Sequence, residues 1–542
     1  MRPVARFGKI ALSKSTAISY LPQITLLSIA LTLLFNVWQV HYGFSLKDEG
    51  FLFYGVQQVL KGAVPVRDFM AYDAGRYYAA AALMSFWGGK GLLSLRWAMM
   101  IFEMIAVSGG LVIISGSIKH NDLAYFLASA LIFLAWMVPY YKMADFAACI
   151  LLLGGLSYLV RRPTMSGYLV AGICVGFSAV LGRNHGVYGI AGSLGVISWL
   201  AIEPRQRPGL IRGCAHWALG VAIGFSPVLL MMALVPGFAA AMWESVLLMF
   251  RSGSTNIALP VPWPWHVNFT KSPISVVQEF IIGCLFIGVP AFGLGSIIWV
   301  SLRRMRGKPA PPALVAAAFL ALPYTHYAYS RADLSHLAFS ILPLVMGFLV
   351  VTGSASPRVR LPIALAAGLV SLGIAAPFQL AYYCERYSTC VTTTILSNKF
   401  TVEPWTAKDL DLLRELAAKY AVGNRPFLAA PFWPGAYAVF QRKSPMWEIY
   451  ALIHRPTDLQ KFEIRCIIAA NPSFAVISRA PLDGREDLAF PRTHALVYQY
   501  IISHFDSIKG TPYSSLQIFR ARPAPTPEQS HSKPEPGACW LR

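Results

Sequence analysis

The chain alternates between long apolar runs and short polar breaks. Apolar stretches long enough to cross a bilayer as a helix, about 17–25 residues each, lie at 22–41, 92–115, 123–141, 144–160, 167–182, 186–202, 214–236, 276–301, 311–328, 336–352 and 361–383. That makes eleven crossings. From residue 384 the pattern changes. Thr406 to Tyr420 reads as an amphipathic helix, with Thr406 as N-cap and Asp409 and Asp411 in its first turns. Further helices are expected at 458–470 and 494–504, and strands at 425–431, 473–478 and 515–520. Such alternation predicts a small α/β domain. From Pro523 on, Pro, Glu, Ser and Lys dominate, a composition that predicts disorder. The expected organisation is a helical membrane domain over 1–383 with a first outer loop at 42–91, an α/β domain over 384–522, and a disordered tail over 523–542.

Composition agrees with lipid as the main solvent. Of 542 residues, 56% are hydrophobic and 13% charged, where a soluble domain carries about 25% charged residues. A single soluble core stops growing at roughly 250–300 residues. A cytosolic enzyme, a secreted protein and a nucleic-acid-binding domain are therefore excluded as the main reading. The net charge of +21 comes from 46 Lys and Arg against 25 Asp and Glu. In a membrane protein such an excess marks cytoplasmic loops and anionic lipid rather than a nucleic-acid partner.

The placement of those cations orients the chain. With the N-terminus inside, the cytoplasmic segments hold 16 Lys and Arg, among them Arg161, Arg162, Arg303, Arg304 and Arg306, against 10 in the longer outer loops. By the positive-inside rule the N-terminus is cytoplasmic, and eleven crossings put the α/β domain on the outer face. No small-residue cleavage site follows the first apolar run, so the N-terminal segment is expected to remain as an anchor. The expected location is the inner, cytoplasmic membrane, with the C-terminal domain periplasmic. Cysteine usage is compatible: Cys149, Cys174, Cys214 and Cys284 fall in spans, while Cys384 and Cys390 lie just past the last one. An oxidising compartment would permit a disulfide there.

Charges beside a membrane are costly, so their location points to function. The first outer loop is the richest, with Lys47, Asp48 and Glu49, then Lys61, Arg67 and Asp68, then Asp73 and Arg76. Asp48 and Glu49 are adjacent and cannot share a helix face, so at most one points at a common site. Read alone, such an acidic pair is more often a solvated loop pair, here beside an interfacial lysine. At the same level lie Lys142 and Asp145, the corner Arg183-Asn184-His185-Gly186, and the run from Tyr329 through Arg331 and Asp333 to His336. The last of these, read alone, is a helix-capping cluster. Arg96 and Glu103, seven residues apart on one helix face, read as a structural polar contact inside the bundle.

The run LKDEGFLFYGVQQVLKGAVPVRDFMAYDAGRYYAAAALMSFWG, residues 46–88, resembles the first outer loop of the GT-C glycosyltransferases, the superfamily of protein mannosyltransferases and lipid A aminoarabinose transferases. In that loop an acidic pair is often followed by Gly, as Gly50 follows here; Ala74 stands where many relatives have Pro. GRNHG at 182–186 and YSRADLSHLAFSILP at 329–343 resemble two further corners, although Asn184 replaces a common acid. FLAAPFWPGAYAVFQRKSPMWE at 427–448 is similar to the membrane-facing edge of the outer domain, or else its Trp and Tyr residues simply anchor at the interface.

The resemblance implies a GT-C-like bundle and an enzyme that moves a sugar from a polyprenyl-phosphate donor to a hydroxyl of a lipid, glycan or protein on the outer face, with inversion. It implies Asp48 as general base, with Glu49 as its support or a metal ligand. Arg331 and His336, with Asp333, fall near the phosphate, where charge must be stabilised as it departs. Arg183, His185, Lys61 and Arg67 are further phosphate candidates. Asp48, Glu49 and His336 are the side chains that could hold a divalent metal, and no organic cofactor is implied. A transporter or flippase of a lipid-linked sugar is the alternative, though no internal repeat of the kind transporters carry is visible. A non-catalytic envelope assembly protein is another, and it would not need acids in the first loop.

Overall fold

The computed structural model describes residues 14–118, 122–203, 209–252, 256–508 and 515–522. The expected disordered tail from Pro523 lies outside the described residues, as do Arg2, Arg6, Lys9, Lys119, Arg205, Arg207 and Cys539.

In chain order the first helices are α1 (Lys14–Gln39), α2 (Asp48–Leu60), α3 (Gly75–Phe86), α4 (Leu92–Ser115), α5 (Leu123–Trp136), α6 (Met143–Arg161) and α7 (Met165–Leu181). There follow α8 (Arg183–Ala201), α9 (Leu210–Leu234), α10 (Phe238–Arg251), α11 (Pro273–Met305), α12 (Pro312–Ser330), α13 (Leu334–Gly353) and α14 (Pro357–Ala375). Each of the eleven apolar stretches is thus a helix, and α2, α3 and α10 are additional helices inside what reads from sequence as outer loops.

Among the described residues seven helical segments are long and apolar enough to cross a membrane: Leu21–Gln39, Leu92–Ser115, Tyr140–Arg161, Leu210–Leu234, Pro273–Met305, Leu334–Gly353 and Pro357–Phe378. The chain is a multi-pass membrane protein. Helices α5 and α7 are shorter; the 14 residues of α5 rise about 21 Å, short of a hydrocarbon core about 30 Å thick. Length alone therefore does not fix the number of crossings. Helices α6 and α13 are mostly enclosed by protein, whereas α1, α9, α11 and α14 turn most of their apolar surface outward, as helices bathed in lipid do.

Local chemistry sets several helix starts. The side chains of Asp122, Thr164 and Asp333 cap α5, α7 and α13 by accepting backbone N–H bonds from Tyr125, Gly167 and His336. The bundle continues through α15 (Leu380–Tyr387), which Cys384 shares in a disulfide with Cys390, Cα to Cα 5.2 Å.

The C-terminal part opens on a hairpin, β1 (Val391–Ile395) with β2 (Asn398–Val402). Next come α16 (Pro404–Tyr420), β3 (Leu428–Ala430), α17 (Pro434–Val439), α18 (Thr457–Ala470), β4 (Phe474–Ser478), α19 (Phe490–Thr493), α20 (Ala495–His504), β5 (Phe505–Ile508) and β6 (Leu516–Ala521). The four-stranded sheet has the order β3-β4-β6-β5, parallel between β3 and β4 and antiparallel elsewhere. Leu428, Ala475, Ile477 and Phe519 pack there against Ile467, Val497 and Ile501 of α18 and α20. The expected helices and strands are present, with the hairpin, α17, α19 and β5 added. One detail differs. The N-cap of α16 is Glu403, not Thr406, because Pro404 occupies the first helical position, where its missing N–H costs nothing.

This domain sits hard against the first outer loop. Gly435 N–H donates to the Leu46 carbonyl at 2.8 Å, Met70 N–H to that of Trp447 at 2.8 Å, and Trp447 Nε1 to that of Val66 at 3.0 Å. A Cβ added at Gly50 would lie 2.5 Å from the backbone of Gly435, so this contact admits only glycine. The close approach brings residues 446–450 over the start of α2.

Candidate functional site

Helix α2 begins with two carboxylates that have opposite surroundings. Glu49 is buried and its two oxygens accept from Arg96 Nε at 2.7 Å and Nη2 at 2.8 Å. The remaining Arg96 donors go to the carbonyls of Val40, Tyr42 and Gly43. All five guanidinium N–H groups are thus used, and the pair staples α2 and the end of α1 to α4. Glu49 is therefore a structural acid, and its expected place as a support or metal ligand beside Asp48 is corrected on that ground. Arg96 and Glu103 do not pair with each other; Glu103 instead accepts from Asn36.

Asp48 faces the other way. It is half-buried, and among the described residues it forms no ion pair. Its Oδ1 accepts from the Tyr450 hydroxyl at 2.9 Å, and the Tyr141 hydroxyl bonds to the same carboxylate. Burial, then the Asp48 charge, raises the Tyr450 phenol well above its ordinary range, so it stays a donor. Tyr72 lies within reach of the charges of Asp48, Arg455 and Arg183. Its ring is 39% exposed, yet its surroundings push its pKa up to about 12, burial first and the Asp48 charge next. An accessible ring that is nonetheless surrounded by protein marks a recess.

One wall of this recess is the turn Tyr140–Lys142, which leads into α6. Lys142 has no ion-pair partner among the described residues; its ammonium lies 5.9 Å from the Phe339 ring centre, within electrostatic reach of Asp145, Arg76, Asp48 and Asp73. The His336 ring also packs against Phe339, centroids 5.6 Å apart. The charges of Asp48 and Asp333 both act on Tyr141. The first outer loop and the corner before α13 therefore do meet around this turn.

The other expected site residues have defined occupations. Arg331 is held by Asp333 at 3.0 Å and by both oxygens of Asp483 at 2.7 and 2.8 Å, with a further bond to the Ile257 carbonyl. The Asp483 bond, above all, raises its pKa. Its guanidinium pins the C-terminal domain to the α12–α13 corner. Asp333 is a cap: burial would raise its carboxyl, but the His336 bonds and charge, then Arg331, outweigh this and hold it below the ordinary range. His336 Nδ1 faces Asp333 Oδ1 at 2.8 Å and its Nε2 faces Asn256 Nδ2 at 3.2 Å. Ile257 N–H donates to Asn256 Oδ1, which turns the amide nitrogen toward His336. Its Nε2 is then an acceptor, unsuited to an anion.

His185 is buried between Asp145 Oδ1 at 2.9 Å and the Tyr324 hydroxyl at 2.7 Å, so both its ring nitrogens are occupied. Arg183 donates its backbone N–H to Asp73 Oδ1 at 2.7 Å and keeps a half-buried guanidinium 3.4 Å from that acid. Arg67 is chelated by Asp68 and the Pro236 carbonyl. Lys61 donates to the Gln441 carbonyl, and burial lowers its pKa. It sits past the far end of α2, about 20 Å along the axis from Asp48. Neither Arg67 nor Lys61 joins the site.

Sequence reasoning undervalued a second network. Arg76 grips Asp145 with both Nη atoms, at 3.1 and 3.0 Å, and Asp73 at 3.2 Å. Asp73 and Asp145 are two carboxylates set among three cations, Arg76, Arg183 and Lys142. Lys142 is the one of the three without an ion pair among the described residues, and the Asp48 charge, also within its reach, balances it. All five lie in segments noted as polar outer breaks; only their mutual arrangement was missing. Tyr450 had no signal beyond the end of the aromatic run at 427–448.

A divalent metal needs several hard donors together. Glu49 is committed to Arg96, and among the described residues no three His, Cys, Asp or Glu side chains group as a metal would require. The Asp48, Glu49 and His336 set does not fit one.

The chain is a many-helix bundle capped by a small α/β domain that is seated on the segment between α1 and α4. Among solved structures the chain is similar to ArnT from Cupriavidus metallidurans bound to undecaprenyl phosphate, at a TM-score of 0.54 and 12% identity, covering 92% of this chain and 99% of that one. The apo state of the same protein gives 0.54 and 12%, covering 94% and 100%. The Archaeoglobus fulgidus oligosaccharyltransferase overlaps more loosely, at 0.46 and 13%, covering 91% and 73%. At these identities the likeness establishes the fold. No protein-family model matches the chain, and no curated protein sequence matches it.

Proposed function

We propose that the protein is a membrane glycosyltransferase that moves a sugar from a polyprenyl-phosphate donor to a hydroxyl on a lipid, glycan or protein acceptor at the outer face. One observation carries this reading. Asp48, a carboxylate without an ion pair, and Lys142, an ammonium without one, share a recess beneath the C-terminal domain.

In the proposed reaction the acceptor hydroxyl gives its proton to Asp48 as its oxygen attacks C1 of the sugar. The C1–oxygen bond to phosphate breaks with inversion, and polyprenyl phosphate leaves with the bonding pair. Two phenols donating to Asp48 fix its orientation and leave lone pairs free for the acceptor. Lys142, with Arg183 behind it, meets the charge that grows on the departing phosphate. An ammonium not committed to an ion pair favours a phosphorylated donor over a neutral one, and the apolar helices supply a place for its tail. That ArnT was solved with undecaprenyl phosphate on the same fold supports the same donor class here. The Lys and Arg asymmetry supports an inner-membrane protein with its N-terminus inside and the α/β domain outside.

The direct test is incubation of the purified protein with a panel of radiolabelled polyprenyl-phosphate sugars, scoring which one is consumed and whether free polyprenyl phosphate is released. Consumption of none, with a folded preparation and acceptor-containing envelope extract present, would remove the proposal.

A further inference from the structure

One buried feature has no part in the reaction just described. Thr32, Asn36 and Gln39 on α1 and Glu103 on α4 are buried polar side chains inside membrane-spanning helices. Glu103 pairs with no cation among the described residues, and its Oε1, Thr32 Oγ1 and Gln39 Oε1 have no hydrogen-bond partner. Apolar side chains would pack these helices at lower cost, so the fold alone does not account for them.

Their one connection leads to the site. Asn36 Nδ2 donates to the Thr32 carbonyl at 2.9 Å and to Glu103 Oε2 at 2.6 Å. This fixes the amide, and its Oδ1 accepts from the Tyr140 hydroxyl at 2.6 Å. The same hydroxyl lies 2.5 Å from the Arg96 carbonyl. Tyr140 is thus held by α1 and α4 together, at the first position of the Tyr140–Lys142 turn. In a 3-10 turn successive side chains point about 120° apart. Fixing Tyr140 inward therefore fixes the outward directions of Tyr141, which bonds Asp48, and of Lys142.

We infer that Glu103 and Asn36 are positioning residues that act through Tyr140 to aim Tyr141 and Lys142 at the reacting groups. The inference rests on the proposed transfer, and its test separates the two. Tyr140→Phe removes only the hydroxyl. Glu103→Leu removes the strut, and Glu103→Gln restores it, because the amide carbonyl still accepts from Asn36. Two quantities are measured on the intact purified protein: kcat and donor KM with the donor found above, and the rate at which a limiting water-soluble amine-acylating reagent modifies Lys142, mapped by mass spectrometry.

Tyr140→Phe and Glu103→Leu should each lower kcat about 10-fold, the weight of one buried hydrogen bond, and raise Lys142 labelling several-fold. Glu103→Gln should match the parent in both. If Glu103→Leu does not fold, Tyr140→Phe alone decides the outcome. Unchanged kcat and unchanged labelling in Tyr140→Phe would overturn the inference, as would a Glu103→Gln protein as impaired as Glu103→Leu. If the parent consumes no donor but labelling shifts as expected, the transfer reading fails and the positioning role stands.

Discussion

The Tyr450 hydroxyl donates to the Asp48 carboxylate at 2.9 Å across 402 residues of sequence. The C-terminal domain therefore supplies a group to the acid at the start of α2, and the site is complete only when that domain is docked. Residues 446–450 are held for this purpose by buried charges: Glu463 accepts the backbone N–H groups of Trp447 and Glu448, and Glu448 pairs with Arg455 at 2.7 Å. The Glu448 carboxyl would be raised by burial, but the Arg455 charge, then His494, hold it below the ordinary range.

Asp48→Asn keeps the size of the base and a hydrogen-bonding oxygen but cannot take a proton. Turnover should fall by roughly 10²–10⁴-fold, the usual contribution of a general base, with donor KM little changed. Tyr450→Phe removes one orienting donor and should cost about 10-fold in kcat. Steady-state kinetics with the labelled donor checks both, and full activity in Asp48→Asn would take this acid out of the chemistry.

Glu49 should behave differently from its neighbour. Glu49→Ala leaves the buried Arg96 charge without its partner, a loss worth about 3–5 kcal/mol, so the protein should melt markedly lower or fail to accumulate. Glu49→Gln should be intermediate. Thermal unfolding of detergent-solubilised variants reads this out; a Glu49→Ala protein as stable as the parent would contradict the stapling role.

Apolar run length made the eleven helices legible, because lipid leaves little choice for a stretch of 20 apolar residues. The acid pair was legible too, but not which member faces the recess. Adjacent positions point apart, and only the position of Arg96, on another helix, decides that Glu49 turns inward. Arg331 was legible only as a charge, for a similar reason. A cation beside an outer span suggests a phosphate ligand, yet its partner Asp483 lies 152 residues away in a turn of another domain, and nothing local announces it. Lys142 was visible as a charge but not as an unpaired one. Absence of a partner is a property of the whole fold.

Orientation can be checked without an activity assay. A reporter active only in an oxidising periplasm should be active when fused after Thr401 and silent when fused at Gly307, next to Arg303, Arg304 and Arg306 on the cationic side. The reverse pattern would place the recess, with Asp48 and Lys142, on the cytoplasmic side and exclude an outer-face reaction.

Lys142 and Arg331 separate a donor contact from a domain clamp. Lys142→Gln removes the ammonium without disturbing an ion pair. If that charge meets the phosphate, the lost charge-assisted bond, worth roughly 1.5–3 kcal/mol, should lower kcat/KM for the donor about 10- to 150-fold while leaving the melting temperature unchanged. Arg331→Ala should do the opposite. It strands Asp483 and Asp333, so the C-terminal domain should loosen: protease sensitivity around 479–489 should rise and thermal stability fall. Activity should drop only as far as docking of Tyr450 suffers, and Asp483→Asn should reproduce that pattern. Donor binding measured directly, by displacement of a labelled polyprenyl phosphate, is the deciding readout. If Arg331→Ala weakens it more than Lys142→Gln does, while the domain stays protease-resistant, the phosphate belongs at Arg331 and the assignment of Lys142 is wrong.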